Sequence, residues 1–115
     1  MKDLTKIKCV PCEGGEKPFA AREIKKYIQG VPGWGVLNAK KIERQLEFKN
    51  FREAVSFLIK VALLSESEGH HPDFSLFSWN KVRFTLSTHA IGGLSQNDFI
   101  LAAKINKMLD LTISK

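Results

Sequence analysis

The chain has 115 residues, 43% of them hydrophobic and 26% charged, which fits one domain with one core and leaves no room for two. Its longest apolar stretches, such as residues 61–64, are far too short to span a bilayer, and two cysteines do not make a disulfide scaffold. The formal net charge of +6 raises the question of nucleic-acid binding, but helix-turn-helix, RNP-type and paired zinc-ligand signatures are all lacking.

Residues 1–18 read as an irregular segment. Their basic residues are followed by no apolar run, so neither a secretory signal nor a transit peptide is expected, and a cytoplasmic protein is. Cys9-Val10-Pro11-Cys12 has the spacing of half a zinc site or of a redox pair. A second cysteine pair is lacking and no strand precedes the motif, so a packed or capping loop is the simpler reading. Residues 19–29 predict a short helix, with Ala20, Ile24, Tyr27 and Ile28 at helical spacing, stopped by Gly30-Val31-Pro32-Gly33. A short strand over 34–38 follows. Residues 40–49 alternate, Ile42, Leu46 and Phe48 on one side with Arg44 breaking the row, and pair back across a turn at Asn38-Ala39.

Asn50 with Glu53 forms a capping signal for a helix to about Glu68, ended by Gly69. Its apolar stripe is wide enough to cover a sheet and touch a second surface. Two more strands, 73–79 and 81–88, are joined near Asn80, with His89 continuing the polar side of the second. Ser95 and Asp98 open a last helix. The order helix, two strands, helix, two strands, helix, with short links, gives an α+β two-layer sandwich: a four-stranded antiparallel sheet with three helices on one face.

All three histidines, His70, His71 and His89, lie within twenty residues. Glu66 and Glu68 stand in the last turn of the preceding helix, where negative charge opposes the dipole. Glu68 reads as solvated; Glu66 could orient an imidazole or bind a ligand N–H. Three imidazoles and a carboxylate could hold zinc, although adjacent histidines rarely both reach one ion. General acid–base chemistry suits them better, since free imidazole titrates near pH ~6.5 and no His-x-x-x-His or His-x-His spacing exists. No activated nucleophile is evident.

The spacing Glu66-x3-His70-His71-Pro72-x6-Trp79-x9-His89-x8-Asp98 resembles the signature of the pterin-4a-carbinolamine dehydratases. Phe48-x2-Phe51-x2-Ala54-x2-Phe57, Asn80-Lys81-Val82, Leu86-Ser87-Thr88-His89 and Gly93-Leu94-x3-Asp98 resemble the family too. The His71-to-His89 segment is one residue longer than in the animal enzymes. The resemblance runs from about Phe19 onward and implies the fold derived above, in homodimers or homotetramers. It implies dehydration of 4a-hydroxytetrahydrobiopterin to quinonoid dihydrobiopterin, in tetrahydrobiopterin recycling, without metal, cofactor, nucleic acid or membrane. By the same resemblance His70 and His89 are the acid–base pair, His71 positions the pterin, and Glu66, Trp79 and Phe74 bind it. Asp98 orients from behind or caps its helix. Some family members instead stabilise a transcription-factor dimer or assist assembly of a plant carboxylase, so a protein-binding role is the rival reading. Thirteen of the basic residues and seven acidic ones fall in residues 1–60, against five of each in 61–115. The half with the histidines is thus neutral, which suits a neutral substrate.

Overall fold

A computed structural model describes residues 3–11 and 16–113. In chain order the elements are α1 (Ala21–Ile28), β1 (Gly35–Leu37), β2 (Lys41–Glu47), α2 (Phe51–Glu68), β3 (Asp73–Phe77), β4 (Lys81–Leu86) and α3 (Gln96–Ile113). The four strands form one antiparallel sheet in the order β1-β2-β4-β3. This is the expected α+β architecture. Residues 3–11 are less irregular than expected: a 3-10 turn at Leu4–Lys6 puts Leu4 into the core.

Register explains the core. Ile42 faces Leu86 and Leu46 faces Val82 across β2–β4, and all four are buried, as is Phe84. Side chains on neighbouring strands share a face when their residues pair. These residues form the inner face, covered by Ala54, Phe57 and Val61 of α2 and by the apolar side of α3, with Phe57 edge-on to Phe84. Arg44 belongs to the same row. Its guanidinium escapes the core by donating to Asn106 Oδ1 and the Pro32 carbonyl, next to Gly33, where a side chain would collide with it.

Both hairpins turn through consecutive residues in the left-handed region, Asn38-Ala39 and Ser78-Trp79. Such turns match the twist of the strands they join. The second turn, residues 78–80, falls near Asn80 as expected. Asn80 is buried, and its side-chain amide donates to the Phe48 carbonyl while Phe48 N–H donates to its own. β3 is shortened at its end to Phe77 by the same turn.

At the start of α2 the Asn50 side chain accepts from Glu53 N–H at 2.9 Å. Gly69, at φ +70°, ends the helix, its N–H bonded to the Ser65 carbonyl. Nothing stands within 4 Å of a side chain placed there, so Gly69→Ala meets only the left-handed backbone penalty. Chemical denaturation should read a loss of about 1 kcal/mol; no loss would mean that the turn is not held in this conformation. Phe51, Ile59 and Leu63 of α2 remain exposed, the outer part of its wide stripe.

Candidate active site

Two chain reversals and one helix start bring the histidines together. Gly69 turns the chain out of α2 into His70-His71-Pro72, leading to β3. Beyond β4, Thr88 and Gly93 pair as an isolated bridge. The loop between them is a 3-10 turn, His89–Ile91, closed by Gly92 at φ +67°. His89 is thus an exposed loop residue and not, as its alternation suggested, the end of a strand. His70, His71 and His89 line one cavity of about 230 Å³.

His70 is the most enclosed of the three, its side chain 12% exposed. Its Nε2 lies 2.6 Å from Oδ1 of Asp98, which is fully buried in the first turn of α3. The other carboxylate oxygen accepts from the Thr88 hydroxyl at 2.8 Å and from Ser95 N–H at 2.9 Å. Thr88 spends its one proton on Asp98, so the Ser95 hydroxyl donates to Thr88 at 2.7 Å. Asp98 therefore caps the helix and orients a histidine at once. A helix N-terminus favours its charge. Because the carboxylate can only accept, the His70 proton resides on Nε2 and Nδ1 is the free basic nitrogen.

His71 and Glu66 make a second pair, Nε2 to Oε2 at 2.5 Å, on the surface. Glu66 thus stands where the orienting role would put it, with its carboxylate still largely exposed. His71 and Glu66 also border a second, apolar cavity of about 230 Å³ between α2 and the sheet, walled by Val61, Phe74 and Phe84. Phe74 is thus beside the cluster. Trp79 is not: it sits in the β3–β4 turn, exposed, with the whole of β3 between it and His71, on the order of 20 Å of extended chain.

The two histidines that zinc would need side by side direct Nε2 to different carboxylates. Among the described residues no group of three or more His, Cys, Asp or Glu is arranged to hold an ion. A larger cavity, about 520 Å³, lies elsewhere, lined by Asp3, Pro32, Asn106 and Asp110 with no histidine.

Glu68 overturns its expected solvation. It pairs with Lys104 at 2.7 Å, nearly buried, and accepts Cys9 N–H at 2.9 Å. Burial raises its carboxyl, but Lys104 and the Cys9 N–H outweigh that and hold it below its ordinary value. Cys9 is buried, its thiol pushed up to about 12 by burial and then by Glu68, so it stays protonated and packs rather than reacts. Cys12, the other half of the Cys-x-x-Cys spacing, lies outside the described residues.

Sequence reasoning missed Asn97 and Val10. Asn97 is buried one residue before Asp98, and its side chain grips the Val10 backbone at both N–H and carbonyl; both residues line the histidine cavity. A polar residue in the first turn of α3 was visible, but nothing in its spacing pointed to a partner 87 residues away.

A family profile described as Pterin 4 alpha carbinolamine dehydratase matches residues 17–108. A protein of Alkaliphilus metalliredigens (strain QYMF), provisionally named a pterin-4-alpha-carbinolamine dehydratase, is 48% identical over 93% of this chain and 96% of its own. The mitochondrial pterin-4-alpha-carbinolamine dehydratase 2 of Arabidopsis thaliana is 43% identical over 94% of this chain and 60% of its own. Among solved structures, a transcriptional coactivator/pterin dehydratase from Brucella melitensis superposes with a TM-score of 0.75 at 29% identity, covering 80% of this chain and 98% of that one. A pterin dehydratase-like RuBisCO assembly factor of the alpha-carboxysome shares the fold at 21% identity and a TM-score of 0.56, over 69% of this chain and 92% of that one.

Proposed function

The chain belongs to the Pterin 4 alpha carbinolamine dehydratase family, and from that premise we propose that it is a hydro-lyase removing water from 4a-hydroxytetrahydrobiopterin. The observation that carries this reading is the His70–Asp98 pair, a histidine fixed by a fully buried carboxylate in a cavity shared with two further histidines.

The chemistry needs two proton transfers. Hydroxide is a poor leaving group, so the C4a oxygen is protonated as its bond to carbon breaks and leaves as water. The N5 proton goes to a base as the C4a–N5 double bond forms. His70 is the base: Nδ1 accepts the proton, and Asp98 stabilises the imidazolium through Nε2. His89, exposed at the cavity, is the acid. The two exchange one proton with solvent to reset. His71, held by Glu66, positions the ring, and Phe74 offers an apolar wall beside it. Trp79 has no part within one chain.

The product is quinonoid dihydrobiopterin, and the reaction serves tetrahydrobiopterin recycling. No metal or cofactor takes part. Rapid-mixing kinetics on the 4a-carbinolamine test the reading: dehydration should accelerate in proportion to protein concentration. Chelator treatment should leave the rate within about twofold, since no step is a metal-assisted one. A rate abolished by the chelator and restored by zinc would replace imidazole chemistry with metal chemistry.

A cytoplasmic location and a homodimeric or homotetrameric assembly belong to the same reading. The exposed Phe51, Ile59 and Leu63 support the assembly. No helix among the described residues is long and apolar enough to cross a membrane. The rival is a protein-binding role, as in the coactivator and assembly-factor names of the two solved relatives. The His70–Asp98 pair favours the enzyme, because a docking surface has no need of a buried carboxylate behind an imidazole.

A further inference from the structure

We propose that Val10 is a substrate-contact residue: held by Asn97, it is a fixed wall of the histidine cavity and lays its apolar side chain against the bound pterin. The inference rests on the dehydratase reading and adds to it a residue from outside the stretch that the family profile matches.

Three observations carry it. Val10 is 66% exposed and lines the cavity of His70, His71 and His89. The backbone that carries it is held by two hydrogen bonds. Val10 N–H donates to Asn97 Oδ1 at 3.0 Å, and Asn97 Nδ2 donates back to the Val10 carbonyl at 2.6 Å. Cys9 is buried and donates its N–H to Glu68, while Val10 beside it is exposed at the cavity. Finally, the anchors belong to the elements that hold the catalytic histidine. Glu68 stands two residues before His70, and Asn97 one before Asp98. The wall and the acid–base machinery are therefore positioned by the same helix ends.

An apolar contact held in place before binding costs little ordering entropy when the ligand arrives. A face-on contact to a flat ring is made equally in ground and transition states. It therefore lowers KM without raising kcat.

The experiment is a Val10 series measured two ways: turnover of the 4a-carbinolamine, and equilibrium binding of 7,8-dihydrobiopterin, which lacks the 4a-hydroxyl, by fluorescence quenching. Val10→Ala should raise KM about threefold, Val10→Asp about tenfold, and Val10→Leu less than about twofold, with kcat within about twofold throughout. The dihydrobiopterin Kd should rise in the same order, and thermal unfolding should not shift, since Val10 is exposed. Unchanged KM and Kd in an active series overturn the inference and leave the dehydratase reading standing. So does a fall in kcat at constant KM. A wild-type protein that binds dihydrobiopterin without turnover refutes the dehydratase reading, and the Kd series alone then decides on Val10. A protein that does neither refutes both.

Discussion

His89→Ala should lower turnover of the 4a-carbinolamine by about 100-fold or more, the usual worth of a general acid, and leave stability within about 0.5 kcal/mol of the parent. The two expectations together make the test sharp. His89 stands exposed on the 3-10 turn after β4, and its side chain makes no hydrogen bond to the other described residues. The turn itself is held by backbone, through the Thr88–Gly93 bridge and Gly92 N–H on the His89 carbonyl. Removing the imidazole thus removes a proton donor from the cavity without removing a support. Rapid mixing measures the first effect and thermal unfolding the second. Full activity in the folded variant would take His89 out of the chemistry.

Asp98→Ala should be costly twice. Its carboxylate is fully buried and accepts from His70, Thr88 and the Ser95 backbone. Deleting it strands buried donors and opens a void, for a loss of about 2–4 kcal/mol in denaturant unfolding. Turnover should fall by about 100-fold as well, because nothing then fixes which nitrogen of His70 is free. Asp98→Asn separates the two losses. It keeps the shape and one acceptor oxygen, so it should retain more than half of the lost stability, yet it carries no charge to stabilise a protonated His70. If Asp98→Asn turns over like the parent, the carboxylate is a cap and no more.

Much of this could be read from the chain. Alternation located the inner rows of β2 and β4 because one face of the sheet is buried and the other wet. Asn50 and Gly69 marked α2 because capping chemistry is local. The His70-His71-Pro72 cluster and Glu66 stood out by residue type and by breaking the helix-dipole rule. Other features depended on contacts that no window of sequence contains. Glu68 broke the same rule as Glu66 but is satisfied by Lys104 and the Cys9 backbone, one 36 residues ahead and the other 59 behind. His89 kept its alternation on paper while the chain had already left the sheet at Leu86. Trp79 sat at the right spacing for a ring wall, but a hairpin turn carries it away from the cluster. Val10 looked like filler between two cysteines because its partner, Asn97, enters only with the last helix.

That last pairing bears on how the protein comes into being. The Val10–Asn97 hydrogen bonds close a loop of 87 residues, and His70 waits on Asp98 across 28. Loops of that length close slowly, and a chain emerging from the ribosome has its first wall long before the helix that fixes it. During synthesis α2 and the β2–β4 pairing can form while the cavity is still open on one side. Competence therefore arrives late and all at once, with the docking of α3, and regain of turnover on refolding should trail regain of helical signal.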